Sequence, residues 1–359
     1  MLKIALIPTG LTVAFLFLFG VQLWTPVAPL LTVLMALLLI LPTILLPAAE
    51  RLPLGKVRTL VHRVAEAVIV PYLYLLIVLL IDACILILFK ICTWRLSLPL
   101  LFIPSAVFFL LLNAAAMLHA RTIKVRRKTL TLQSDGVSRG HMKVVLFSDL
   151  HLGYFTTAPL LARLEEKILA ENPDCILFAG DLFDSDYDEL RRQKEARAFF
   201  EHLSPALGIY SCPGNHDRYT ARDPRRAAFL SSARIVELRD ERADLPLCAL
   251  LGRPDKKEPR KSAQELLHLT TRTAIVLDHR PDDARALIDA GASLVLCGHT
   301  HNGQTFPGNL LAKIVGRYNF GLKKYKNGYI LTSAGCGYWG LPMRLITANE
   351  IVALDLNFE

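Results

Sequence analysis

The chain has 359 residues, 53% of them hydrophobic, with 41 Lys+Arg against 32 Asp+Glu, a formal net charge of +9. Residues 1–133 hold 12 basic and 3 acidic side chains, whereas residues 134–359 hold 29 of each. This excludes a disordered chain, a small disulfide scaffold and a uniformly basic nucleic-acid binder, and leaves a membrane segment joined to a domain of balanced charge.

Four apolar stretches come first, at residues 4–24, 27–47, 68–91 and 96–118. Each is near the roughly 20 residues that cross a bilayer as a helix. With four spans, Lys3, the loop residues Arg51, Lys56, Arg58 and Arg63, and the segment from Arg121 to Lys128 share one side. Positive-inside reasoning makes that side cytoplasmic. A multi-pass inner-membrane protein with its soluble domain in the cytoplasm is the expectation. Asp82 is a carboxyl within the third stretch, either a functional group or a partner in a helix-helix hydrogen bond.

The membrane part is expected over 1–120 and the soluble domain over 121–359. Residues 123–132 alternate and predict an edge strand. Lys143–Ser148, Cys175–Ala179, Gly208–Cys212 and Ser293–Cys297 predict buried strands. Helices are expected at 158–171, 188–203 and 284–290. Gly328–Thr332 and Glu350–Leu356 read as further strands. Strands alternating with helices indicate an α/β layered domain. The seven cysteines form no CxxC pair and read as small buried hydrophobes. Lys323, Lys324 and Lys326, with Tyr325, read as an exposed loop, with binding of a substrate phosphate as the alternative.

Polar clusters follow five of the apolar runs: Asp149-Leu150-His151, Gly180-Asp181 with Asp184, Gly214-Asn215-His216-Asp217, Asp278-His279, and Gly298-His299-Thr300-His301. The carboxyl ends of strands are where open α/β sheets place their ligands. Five such ends can converge on one site. Imidazole with carboxylate suits Zn, Fe or Mn. On extended backbone, residues two apart point the same way, so Asp149 with His151, and His299 with His301, are expected to grip ions in pairs. Glycines 180, 214 and 298 let the backbone turn or approach closely. No nucleophile elbow, phosphate-binding Walker loop or catalytic Cys-His pair competes.

The order D-x-H, GD-x-x-D, GNHD, H, GHTH resembles the calcineurin-like metallophosphoesterase family over about residues 121–359. The resemblance implies a two-sheet αββα sandwich behind the four membrane helices. It also implies two divalent metal ions (Mn, Zn or Fe). Carried over by residue, one ion is held by Asp149, His151, Asp181 and His301. The other is held by Asp181, Asn215, His279 and His299, with Asp181 bridging. His216 stabilises the transition state or protonates the leaving oxygen, and Asp217 orients His216. Asp184 is either a cap or an orienting group. The implied chemistry is hydrolysis of a phosphodiester or pyrophosphate by metal-activated hydroxide. The tail Ser333–Leu345 with Asn349-Glu350-Ile351 resembles the bacterial branch of the YkuE and YaeI phosphodiesterases. Some of their relatives act on UDP-2,3-diacylglucosamine, a lipid-linked nucleotide, although one such group carries Arg at the position of His216. A protein phosphatase, and a membrane sensor or transport subunit with a regulatory metal domain, stand as the other readings.

Overall fold

The computed structural model describes residue 52 and residues 56–359, apart from 135, 137, 138 and 317. The expected spans at 4–24 and 27–47 lie outside the described residues. The chain divides into two compact units, Met1–Met117 and Leu118–Glu359.

In the first unit, α1 (Lys56–Ile91) and α2 (Leu98–His119) are each long and apolar enough to cross a membrane. They cover the expected spans at 68–91 and 96–118. The first begins twelve residues early, so Arg58 and Arg63 are helical rather than in a loop. At 1.5 Å per residue its 36 residues extend about 54 Å, well beyond a hydrocarbon core of roughly 30 Å. Glu66 joins Asp82 as a buried acid of this helix, with His62 Nδ1 3.4 Å from its carboxylate. Asp82 Oδ1 accepts a hydrogen bond from Ser105 of α2 at 2.6 Å, which supplies the interhelical partner.

The second unit begins with β1 (Ile123–Leu132), β2 (Gly140–Phe147), α3 (Ala158–Ala170) and β3 (Cys175–Ala179). Then come α4 (Gln193–His202), β4 (Ile209–Cys212), α5 (Pro224–Ser232), β5 (Ile235–Glu237), β6 (Glu241–Asp244) and β7 (Ala249–Gly252). The rest is α6 (Ala263–Leu267), β8 (Ala274–Leu277), α7 (Ala284–Asp289), β9 (Leu294–Cys297), α8 (Gly308–Val315), β10 (Gly321–Tyr325), β11 (Gly328–Thr332) and β12 (Asn349–Phe358).

Two six-stranded sheets form, in the orders β1-β12-β2-β3-β4-β5 and β10-β11-β9-β8-β7-β6. Strands β2 to β5 are parallel, as are β7, β8, β9 and β11. Parallel strands covered on both faces need apolar residues in unbroken runs, which explains Val144-Val145-Leu146-Phe147. Val144 and Leu146 meet Ile275, Leu277, Leu294 and Leu296 between the sheets. Val145 and Phe147 pack outward with Leu164 of α3, Phe199 of α4 and Phe229 of α5. On the far side, Val276 and Val295 meet Leu266 of α6 and Leu287 of α7. The layering is helix, sheet, sheet, helix.

β1 takes the predicted edge position. The helix expected at 188–203 starts only at Gln193, after a 3₁₀ turn at Tyr187–Glu189. The expected loop at Lys323–Lys326 is instead mostly strand, because β10 pairs antiparallel with β11 and only Lys326 lies in the turn. Five cysteines of this unit, from Cys175 to Cys336, are buried and unbridged as expected, whereas Cys84 of α1 is exposed and Cys92 half-buried.

Candidate metal centre

The parallel strands β2, β3, β4, β8 and β9 end at Phe147, Ala179, Cys212, Leu277 and Cys297, and every polar cluster follows one of these ends. The backbone there leaves the extended region at once. Asp149, His151, Asp181, His299 and His301 all have φ between 49° and 71°. Non-glycine residues enter this left-handed region at a cost of order 1–3 kcal/mol each, and such positions concentrate at functional sites. Convergence of Asp149 with His151 therefore comes from these turns, not from strand alternation.

Three groups of side chains come within ligating distance of one another: Asp149, His151 and His301; Asp181, His279 and His299; and His151, Asp184 and His216. His299 and His301 thus part company, against the pairing expected from their spacing. Asp181 lies between the first two groups. Its Oδ2 is 3.1 Å from His279 Nε2 and 3.8 Å from His151 Nε2, while Oδ1 accepts the backbone N–H of His216 at 2.7 Å. His301 Nε2 sits 3.1 Å from His151 Nε2 and 3.5 Å from Asp149 Oδ1.

Glycine makes this crowding feasible. A Cβ on Gly214 would fall 2.1 Å from Asp181 Oδ1, and one on Gly298 would fall 2.5 Å from Asp149 Oδ2. Backbone and side-chain donors then fix the carboxylates. Asp149 accepts from Ser148 Oγ and from the N–H of His299.

The outer nitrogens of the imidazoles set their tautomers. His279 Nδ1 donates to the Ala179 carbonyl at 2.7 Å, so the neutral ring turns a lone pair at Nε2 toward Asp181. His151 Nδ1 donates to Asp184 Oδ1 at 2.8 Å, which likewise bares Nε2. His279 Nε2 and Asn215 Oδ1 are buried without a hydrogen-bond partner. An imidazole nitrogen facing a carboxylate, with an unpartnered buried amide oxygen on the loop after β4, fits a buried cation. The donor set of imidazoles, carboxylates and one amide suits a divalent transition metal.

The charges agree. Burial opposes ionisation of Asp181, yet His279, His216 and His151 outweigh it and hold its carboxyl well below the usual range. Burial also opposes a charge on His279, but Asp181 and Asp149 push it up to about 10. His299 goes the other way, to about 3, through burial and the neighbouring His279 and Arg280. Burial, His151 and Arg344 likewise lower His301.

His216 lies beside the first group, its ring edge-on to His151 at 4.8 Å. Its Nδ1 donates to the Asp184 carbonyl at 2.6 Å and is 3.6 Å from the Asp184 carboxylate. Asp217 does not orient this ring. Its carboxylate accepts the backbone N–H groups of Asp181, Phe183 and Gly214 at 2.9, 3.1 and 2.7 Å. Adjacent residues in a tight turn point apart, so Asp217 braces the loop that carries Asp181 while Asp184 faces both histidines.

Two further residues were not legible in the sequence. Arg344 is wholly buried and donates to the carbonyls of Ala334 and Gly337 at 2.7 Å and of His301 and Ala348 at 3.3 Å. Its Nη2 also lies 3.3 Å from His301 Nδ1. Arg280 donates to His299 Nε2 at 2.9 Å and is held by Asp255 at 2.7 Å. Arg280 follows a clustered histidine, but nothing in its own neighbourhood marks it.

Residues 142–303 match the family model described as calcineurin-like phosphoesterase. An uncharacterized metallophosphoesterase of Helicobacter pylori is 30% identical over 229 residues, which cover 60% of each chain. A Bos taurus transmembrane protein with metallophosphoesterase domain is 30% identical over 68% of this chain and 59% of its own. The uncharacterized metallophosphoesterase YkuE of Bacillus subtilis is 26% identical over 63% of this chain and 83% of its own. The chain thus spans about three-fifths of the length of the Helicobacter and Bos proteins. With the two-sheet fold and the convergent histidines and aspartates, these matches identify a calcineurin-like metallophosphoesterase domain in this chain.

Proposed function

We propose that the chain is a membrane-anchored phosphohydrolase with two metal ions, cleaving a phosphodiester or pyrophosphate bond. The observation that carries this reading is the placement of Asp181 Oδ2 between His279 Nε2 and His151 Nε2. Asp149, His151, Asp181 and His301 would hold one ion. Asp181, Asn215, His279 and His299 would hold the other. Bound divalent ions supply Lewis acidity and make water acidic enough to yield a nucleophile near neutral pH.

His216 is the proton donor in this reading. Because Nδ1–H is committed to the Asp184 carbonyl, the ring donates from Nε2 only as imidazolium. The Asp184 carboxylate lies 3.6 Å from the same Nδ1. Asp184 also holds His151 by the carboxylate–histidine contact that fixes metal-ligand rings. Asp217 keeps the Asp181 loop and Gly214 in register, so its contribution is positioning.

Residues 1–120 are the anchor and 121–359 the catalytic domain, on the cytoplasmic face of the inner membrane. The basic residues Lys56, Arg58 and Arg63 near the start of α1 and those of the segment after α2 support that sidedness. Anchoring favours a substrate concentrated at the bilayer, such as a lipid-linked nucleotide of the UDP-2,3-diacylglucosamine kind. The test is purified protein loaded with Mn or Zn and offered an aryl phosphodiester, phosphopeptides and a lipid-linked nucleoside diphosphate. Diester and diphosphate hydrolysis that Asp181→Ala abolishes is the expected result. Activity surviving in that variant overturns the dimetal reading, and phosphopeptide hydrolysis alone overturns the substrate class.

A further inference from the structure

Residues 290–349 contain no aspartate or glutamate but hold Lys313, Arg317, Lys323, Lys324, Lys326 and Arg344. In a domain of otherwise balanced charge, this is a local cationic field. Two of its members are accounted for: Arg344 is buried among carbonyls, and Lys326 pairs with Asp289 at 2.5 Å. Lys313 and Lys323 instead line a cavity of about 300 Å³, together with Asn302, Asn319 and Phe320. Among the described residues no carboxylate lines it.

The cavity is built onto the loop that carries His299 and His301. Asn302 directly follows His301 in one 3₁₀ turn. Thr300 Oγ1 donates to the Asn319 carbonyl at 2.6 Å, and Asn319 Nδ2 donates to the Ala312 carbonyl of α8 at 2.9 Å. The start of α8 packs backbone to backbone on the same turn, where a Cβ on Gly303 would fall 2.1 Å from the Gly308 carbonyl carbon. Asn302 Oδ1 is buried without a hydrogen-bond partner. An orphaned amide oxygen costs about 1–3 kcal/mol and calls for a donor.

We infer that this cavity is a substrate subsite that takes a second, non-scissile phosphoryl group, with a neighbouring hydroxyl or N–H of the substrate donating to Asn302. The inference rests on the phosphohydrolase reading and narrows it, because diphosphate esters then fit better than simple diesters. Lys313 and Lys323 neutralise the extra charge as point cations. Neither has been placed among the metal-holding or proton-donating groups.

The test uses the full chain in detergent. Calorimetry of chelator-treated protein measures the affinity for inorganic pyrophosphate. The double variant Lys313→Gln/Lys323→Gln is expected to bind roughly tenfold or more weakly, while Lys313→Arg/Lys323→Arg binds like the parent. With Mn, the Gln variant should raise KM for a nucleoside diphosphate ester, keep kcat, and leave hydrolysis of an uncharged-leaving-group aryl phosphodiester unchanged. Equal pyrophosphate affinity in the parent and Gln variants, or no binding by the parent, overturns the subsite. Hydrolysis of neither ester by the parent overturns the phosphohydrolase reading instead, and calorimetry still decides the subsite.

Discussion

Asp184 and Asp217 show how far single residues can be read. Both stand at recognisable offsets from a strand end, so a carboxylate at each place was legible. Which histidine each would face was not, because that depends on turns with positive φ that alternation rules do not describe. Asp184 faces His151 and His216, whereas Asp217 gathers backbone N–H groups. Asp184→Asn should therefore weaken metal binding about 10–100-fold, the usual cost of losing a ligand's orienting partner, measured by metal titration calorimetry. An unchanged affinity would make Asp184 merely a loop residue. His279 offers a second residue-scale prediction. Its pKa of about 10 lies above the ordinary histidine value, so its proton is present through neutral pH and is lost only as pH rises toward 10. Metal binding has to expel that proton. At pH 8 an ordinary histidine would release almost nothing, so close to one proton released per chain from His279 is the expected result. Calorimetry in buffers of different ionisation enthalpy counts it. Metal affinity should rise with pH up to that value. His279→Ala should lose the proton release.

Among the elements, the long apolar runs were legible and the short polar ones were not. Cys175–Ala179 and Gly328–Thr332 were read to the residue, because buried parallel strands write their burial into consecutive side chains. β6 reads Glu-Arg-Ala-Asp and β10 reads Gly-Leu-Lys-Lys-Tyr, edge strands whose composition resembles a loop. The stretch from Ser333 to Ala348 has no regular structure, so its order rests on side chains. Arg344 is its centre, and no sequence pattern marks an arginine as wholly buried. Its guanidinium spreads over four carbonyls of three loop segments, a fork that one ammonium cannot match. Arg344→Met leaves those carbonyls orphaned, at about 1–3 kcal/mol each where no water replaces the donor. A loss of at least about 3 kcal/mol in denaturant unfolding is expected, with Arg344→Lys recovering less than half. A loss under about 1 kcal/mol would mean that the loop is held by its backbone alone.

For the whole molecule, the +9 of the sequence separates into two populations of charge. The cluster after α2 reads as one topology signal in the sequence, yet the structure divides it. Arg126 pairs with Glu350 of β12, and Arg127 binds Glu171 at the end of α3, at 2.5 Å. Both carboxylates are buried, and Arg127 with Lys143 draws the Glu171 carboxyl below its ordinary range. All five side chains are exposed, but Arg121, Lys124 and Lys128 form no ion pair among the described residues. The first pair should act on folding and the second set on orientation. Arg126→Gln/Arg127→Gln is expected to lower the stability of the second unit, because a buried carboxylate stripped of its partner costs more than an exposed pair yields. It should leave sidedness unchanged. Replacing Arg121, Lys124 and Lys128 with glutamine removes three of the charges counted within 15–20 residues of a span. That variant should keep its denaturation midpoint while a larger fraction of chains exposes the C-terminus outside, scored with a C-terminal reporter active on one side only. The reverse pattern would show that topology is carried by the ion-paired arginines, and the division of labour along β1 would be wrong.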